Sequence, residues 1–352
     1  VIDLVLSILL AVQSAKPPAD PRTGTYTTSF TERHPLSSLA EMTRRLPRLK
    51  PSDYELAQES FVVTVPASYK PEPPYGLLIF INSFDNGECP ENFKGLLEKQ
   101  RLIWVAANKS GNERLTPARM GLALDAVHNM TKLYVIDPDR VYVSGISGGG
   151  RVCSFLAPAY PDVFRGAIYL IGCNSLAAKV PPELQERMKT LNGYVFLTGD
   201  NDFNLPGTKR VFEEYQKAHF ARVTYLQVPN LAHEIPPGDW VEKGIVFLDE
   251  PLVAAAKTLH AQALGLQKRG KLGRALNAFK KVAARAPGEP FGKDATEQAA
   301  ELEKKRDEQL GAARELIDAG KGADAVPILE KVLRDYDEAA ADARELLKKA
   351  RK

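Results

Sequence analysis

Between residues 61 and 248 the chain alternates short apolar blocks with segments of helical spacing. Residues 61–65 (FVVTV) are β-branched and read as a strand stopped by Pro66. Residues 77–81 (LLIFI) and 102–107 (LIWVAA) are continuously apolar, as strands covered on both faces are. Residues 140–144, 166–171, 194–197 and 223–228 continue the strand series. Residues 116–133 set Met120, Leu124, Val127 and Met130 on one stripe of a helix. Further helices are predicted over 149–160, 182–189, 207–218 and 239–248. This alternation predicts an α/β fold: a mostly parallel sheet, helices on both faces and right-handed crossovers. In such a sheet reactive groups gather at the carboxyl ends of the strands.

The pattern changes towards both ends. Residues 16–57 are rich in Pro, Thr and Ser and read as an exposed, extended lead-in with one helical stretch, residues 36–46. Residues 58–250 carry the sheet. From residue 251 the strand signal vanishes, and residues 251–352 read as an all-α domain of Ala, Leu, Lys, Glu and Arg at helical spacing. Residues 268–282 and 318–332 align without gaps, matching Gly270-Lys271 with Gly320-Lys321, Ala275 with Ala325 and Val282 with Val332. The offset is about 50 residues, against roughly 34 in a tetratricopeptide repeat. The segment still resembles tetratricopeptide-like helical hairpins, with an extra helix near residues 295–309 filling the longer period. Such hairpins imply a protein partner or a stabilising appendage.

Residues 4–12 (LVLSILLAV) form a short apolar block before Gln13-Ser14-Ala15 and a polar, proline-rich stretch. This reads as a signal peptide over residues 1–15 and predicts export to the periplasm or the exterior. The segment before the block carries Asp3 and no Lys or Arg, so a buried N-terminal element is the alternative. A chain of 352 residues exceeds one small core, in keeping with two domains. Forty-seven basic against 44 acidic residues leave a net charge of +3, which gives no electrostatic case for nucleic acid or an anionic membrane. No apolar run is long enough to span a bilayer. Cys89, Cys153 and Cys173 are an odd, scattered set with no metal-type spacing.

Gly145-Ile146-Ser147-Gly148-Gly149 fits G-x-S-x-G between a strand and a helix. A nucleophile on so tight a turn needs small residues two places to either side, so that strand and helix can approach. The helix N-terminus then aims free N–H groups at the site, with the Gly148 N–H as the first oxyanion donor. A serine hydroxyl is a poor nucleophile without a base and a carboxylate that orients it. Only His219 and His233 follow Ser147 in or near the sheet region. His219 lies in a predicted helix and reads as a surface or packing residue. His233 lies in the loop after the last strand, where the base belongs. The acid falls in Thr198-Gly199-Asp200-Asn201-Asp202. Asp202 is preferred because it lies farther past the strand end, while Asp200 can fold the loop by bonding its backbone. A second oxyanion N–H is expected from the loop after residues 77–81, at Ser83 or Phe84.

Several segments carry a family resemblance. Residues 137–150 (DPDRVYVSGISGGG), 160–166 (YPDVFRG), 199–202 (GDND) and 232–236 (AHEIP) resemble the elbow, turn, acid loop and histidine loop of the α/β-hydrolase superfamily. The similarity is to its polyhydroxybutyrate depolymerase and feruloyl or acetylxylan esterase branch, over residues 58–249. It implies a Ser147–His233–Asp202 triad that cleaves carboxylic esters through an acyl-enzyme, with no metal or organic cofactor. Asn82-Ser83 depart from the His-Gly usual in that branch. The short stretch between residues 171 and 194 leaves no room for a large cap, which suits a bulky or polymeric ester. Phe203, Leu205 and Trp240 are candidates to line such a site. Two other readings share the pattern: a serine peptidase of the prolyl-oligopeptidase kind, and an inactive scaffold that recruits a protein through its C-terminal helices.

Overall fold

The computed structural model describes residues 21–50 and 52–351, and the signal peptide expected over residues 1–15 lies outside them. The chain divides into two units, one ending at Asp249 and the other starting at Glu250.

The first unit is built on one sheet. Its strands are β1 (Gly24–Thr28), β2 (Phe61–Val65), β3 (Tyr75–Ile81), β4 (Leu102–Ala107), β5 (Ile136–Ile146), β6 (Gly166–Leu170), β7 (Gly193–Gly199) and β8 (Val223–Val228). They lie in the order β1-β2-β4-β3-β5-β6-β7-β8. β2 runs antiparallel to both of its neighbours, and β4 onward are parallel. The helices are α1 (Leu39–Arg45), α2 (Glu91–Gln100), α3 (Thr116–Leu133), α4 (Gly148–Ala159), α5 (Pro182–Glu186), α6 (Leu205–Lys217) and α7 (Gly238–Lys268), the last running on into the second unit.

The apolar strands divide between two cores by their period of two. Leu77, Ile79 and Ile81 face one core with Ile103, Val105, Tyr194 and Phe196. Leu78 and Phe80 face the other with Trp104, Ile168, Val195 and Leu197. Helices α3, α4 and α6 cover the first face through Met120, Leu124, Val152, Leu156, Val211 and Tyr215. Helices α2 and α7 cover the second through Phe93, Leu97, Val241 and Ile245. This is the mostly parallel, doubly covered sheet of the α/β-hydrolase fold.

Residues 24–57 do not behave as the exposed lead-in expected of them. Strand β1 pairs with β2 along its whole length, and Phe30, Met42, Leu46, Tyr54 and Leu56 are buried in the first core. Each such side chain contributes roughly 1.5–3 kcal/mol on burial, so the segment is integral to the unit. It also explains why α3 is buried nearly all round rather than along one stripe. Asp125, fully buried on α3, accepts a bond from the His34 N–H at 2.7 Å and another from the Tyr54 hydroxyl. On the opposite face, Arg140 of β5 and Asp249 of α7 form a buried ion pair at 2.8 Å, and the Tyr142 hydroxyl donates to the same carboxylate at 2.5 Å.

In the second unit, α8 (Leu272–Arg285), α9 (Pro290–Asp318), α10 (Gly322–Tyr336) and α11 (Ala341–Ala350) share one core. The two aligned stretches have matching turns. Gly270 and Gly320 both take the left-handed conformation, with φ of 71° and 72°. The Lys271 N–H reaches back to the Leu266 carbonyl at 3.0 Å, and that of Lys321 to Leu316 at 2.8 Å. The paired positions Ala275 and Ala325, Phe279 and Leu329, and Val282 and Val332 are all fully buried. Residues 295–309, expected as an extra helix, are helical but lie within one unbroken helix, α9, over Pro290–Asp318. Among the described residues no helix is long and apolar enough to cross a membrane.

Candidate active site

Ser147 sits between β5 and α4 with φ 52° and ψ −114°, a strained conformation for a residue with a side chain. Its N–H is held by the Leu170 carbonyl at 2.9 Å, and its carbonyl accepts from the Arg151 N–H at 3.0 Å. The flanking glycines are required by contact. A Cβ on Gly145 would lie 2.6 Å from the Gly149 carbonyl carbon, and one on Gly149 would lie 1.8 Å from the Ile81 carbonyl oxygen. Gly149→Ala is therefore expected to destabilise the protein by about 3 kcal/mol or more, since backbone must move. Gly95→Ala, mid-helix in α2 with open space around it, is expected to stabilise by about 0.5–1 kcal/mol. Urea unfolding of the two variants checks both signs.

Three loops at the carboxyl ends of parallel strands bring the candidate residues together. The Ser147 Oγ lies 2.8 Å from His233 Nε2, and His233 Nδ1 lies 2.8 Å from Asp202 Oδ1. Asp202 is 3% exposed, and its second oxygen accepts from the Thr198 hydroxyl at 2.8 Å. The Asn204 N–H donates to Asp202 Oδ1 at 3.0 Å. The acid and histidine loops are stitched by the Asn201 N–H to the Leu231 carbonyl at 3.0 Å, with Gly199 pressed against that carbonyl. Asp200 turns away from His233 and accepts instead from Gln227 Nε2 at 2.6 Å and from the Asn230 N–H at 3.3 Å. His219 is exposed at the end of α6.

Gly148 begins α4, so its N–H has no partner within the helix and lies at the positive end of the helix dipole. The second expected donor differs. Asn82 Oδ1 accepts from the Ser83 N–H at 2.8 Å and from the Phe84 N–H at 3.3 Å, so both candidate groups are turned onto this side chain. The loop is held in place by bonds from α3 and from the loop after β4. Buried Arg119 donates to the Asn82 carbonyl at 2.7 Å, and the Asn112 N–H to the Ser83 carbonyl at 3.0 Å. Phe203 is 73% exposed with its ring 4.0 Å from that of His233, and Phe84 is 72% exposed on the β3 loop. Leu205 opens α6 half-buried, whereas Trp240 packs with the second core. Thr198, read from the sequence only as the start of the acid loop, lies inside β7, and its hydroxyl reaches the Asp202 carboxylate.

No protein-family model matches the chain. Among curated proteins it is 48% identical over 46 residues to the poly(3-hydroxyalkanoate) depolymerase C of Paucimonas lemoignei, a match covering 13% of this chain and 11% of that protein. It is 31% identical over 99 residues to the poly(3-hydroxybutyrate) depolymerase of Ralstonia pickettii, covering 24% of this chain and 20% of the relative. The matched segments thus span a fifth or less of these relatives' lengths. Among solved structures it is similar to Est1E from Butyrivibrio proteoclasticus at 15% identity and a TM-score of 0.42, over 55% of this chain and 93% of that one.

Proposed function

We propose that this chain, which has the α/β-hydrolase fold, is an exported serine esterase acting through an acyl-enzyme. The observation that carries the reading is the unbroken line from Ser147 Oγ through His233 to Asp202, with both contacts at 2.8 Å, on a strained elbow. Ser147 attacks the ester carbonyl while His233 Nε2 takes its proton. Asp202 accepts from His233 Nδ1, which fixes the tautomer, and its charge stabilises the imidazolium. His233 then passes the proton to the leaving alcohol, and water hydrolyses the acyl-enzyme by the reverse route. The Gly148 N–H is the first oxyanion donor. The N–H of Ser83 or Phe84 is the second, and the oxyanion must displace Asn82 Oδ1 as its acceptor.

A bulky or polymeric ester fits best. Phe84, Phe203 and Ile235 are exposed on the loops after β3, β7 and β8, around the serine and the histidine. Only the short helix α5 and a π-helical turn, Arg187–Leu191, stand between β6 and β7, so among the described residues that connection builds no large cap over the site. The matched curated proteins are named as polyester depolymerases. The test is hydrolysis of a chain-length series of p-nitrophenyl esters, together with release of acid from a poly(3-hydroxyalkanoate) film. Expected are turnover that rises with acyl length and acid release from the film. A folded sample inert on every ester while cleaving peptides overturns the reading.

A further inference from the structure

One helical turn along α4 from the nucleophile, at Arg151, begins a polar pocket of about 180 Å³ that the proposed mechanism does not use. Its wall includes Arg151, Arg210, Asn174, Ser175, Asn204 and Thr208. Among the described residues no acidic one lines it. Arg151 is exposed, and both of its side-chain hydrogen bonds go to neutral amide oxygens, Asn204 Oδ1 at 2.9 Å and Asn174 Oδ1 at 3.4 Å. Arg210 is 71% exposed and meets a carboxylate only loosely, Glu214 at 3.8 Å one turn along its own helix. Thr208 is 1% exposed, and its buried hydroxyl has no hydrogen bond of ordinary geometry, with only the weakly bonding Cys173 thiol beside it. Burial pushes that thiol up to about 12, so it adds no competing negative charge.

The pocket is tied to the triad by chain connectivity. Arg151 follows Ser147 by one helical turn, and its Cβ tilts back towards the helix N-terminus that holds the serine. Gly172, one residue before Cys173, packs so closely on Ser147 that a Cβ there would lie 2.6 Å from the serine carbonyl oxygen. Asn204 donates its backbone N–H to Asp202 and its side-chain amide to the Ile171 carbonyl at 2.8 Å. Two planar guanidinium forks and the half-buried Asn174 amide match a carboxylate, which accepts several donors at once.

We infer that the Arg151–Arg210 pocket binds a free carboxylate of the substrate, making the enzyme selective for anionic esters with an acid group a few bonds from the scissile carbonyl, such as the acid end of a short hydroxy-acid oligoester. This rests on the ester-hydrolase reading and narrows its substrate class. The kinetic test compares mono-p-nitrophenyl glutarate with neutral p-nitrophenyl hexanoate. Wild type is expected to favour the charged ester, and Arg151→Gln and Arg210→Gln each to lower the charged-to-neutral ratio of kcat/KM about tenfold or more, through KM. Calorimetry adds a readout that needs no turnover: glutarate binds wild type and binds Arg151→Gln about tenfold more weakly. A ratio unchanged in both variants, or glutarate binding indifferent to Arg151, overturns the inference. A folded wild type inert on both esters overturns the ester reading instead, and the glutarate titration then still decides the pocket.

Discussion

Ser147→Ala is expected to lower kcat on a p-nitrophenyl ester by about 10⁶-fold while leaving the protein folded. The first half follows from the proposed route, because water must then attack without an acyl-enzyme, helped only by the oxyanion donors and substrate binding. The second half follows from what the Ser147 side chain touches. Its one hydrogen bond goes to His233, while its N–H and carbonyl serve β6 and α4 as backbone. Alanine keeps the Cβ, so the positive φ costs it no more than it costs serine. His233→Ala is expected to lose a similar factor, and the double variant no more than either one, since the pair acts as a unit. Steady-state kinetics with thermal unfolding of each variant check this. A loss of less than tenfold in Ser147→Ala removes the serine from the mechanism.

What the sequence made legible follows from which residues are forced by their neighbours. The strands covered on both faces have no polar positions, so 77–81 and 102–107 stand out at once and match β3 and β4 closely. The elbow is equally plain, because the close approach of Gly149 to Ile81 admits no side chain. Strand β1 was hidden. It is an edge strand of sequence GTYTT with no buried residue, so its β-forming Thr and Tyr come without the apolar alternation that marks a strand. Helix α2 escaped notice although Phe93, Leu96 and Leu97 bury one face, since glycine and several charges dilute a short apolar stripe. The burial of α3 was out of reach for another reason. Its cover comes from residues 30–56, and nothing local to either segment announces the pairing of Asp125 with His34 and Tyr54. Asn82 was visible as a departure from the expected His-Gly, but its consequence depends on where its amide points. Only the three-dimensional arrangement shows the side chain occupying both candidate donors.

Asp202→Asn is expected to lower kcat by about 10³- to 10⁴-fold, and Asp200→Asn by less than about tenfold. Two donors converge on Asp202 Oδ1, the Asn204 N–H and the His233 ring, while the Thr198 hydroxyl meets Oδ2. An asparagine at this position faces a choice. With its amide nitrogen towards His233 it opposes the Asn204 N–H and forces the wrong imidazole tautomer, the case that costs about 10⁴-fold. With its oxygen there, the tautomer survives because Thr198 can accept from the amide, and only the charge facing the imidazolium is lost. A unit charge at about 4 Å in an effective dielectric of about 20 is worth roughly 4 kcal/mol, or about 10³-fold. The Asn204 N–H favours the second orientation, so the loss is expected nearer the lower figure. Thr198→Val removes the hydroxyl that would accept from the amide, and in the Asp202→Asn background it is expected to deepen the loss towards the higher one. The Asp200 side chain bonds Gln227 of β8 and Asn230 in the loop beyond it, so its charge does not enter the proposed proton relay. Measuring kcat for the three variants on one ester decides the assignment, and an Asp200→Asn loss larger than that of Asp202→Asn reverses it.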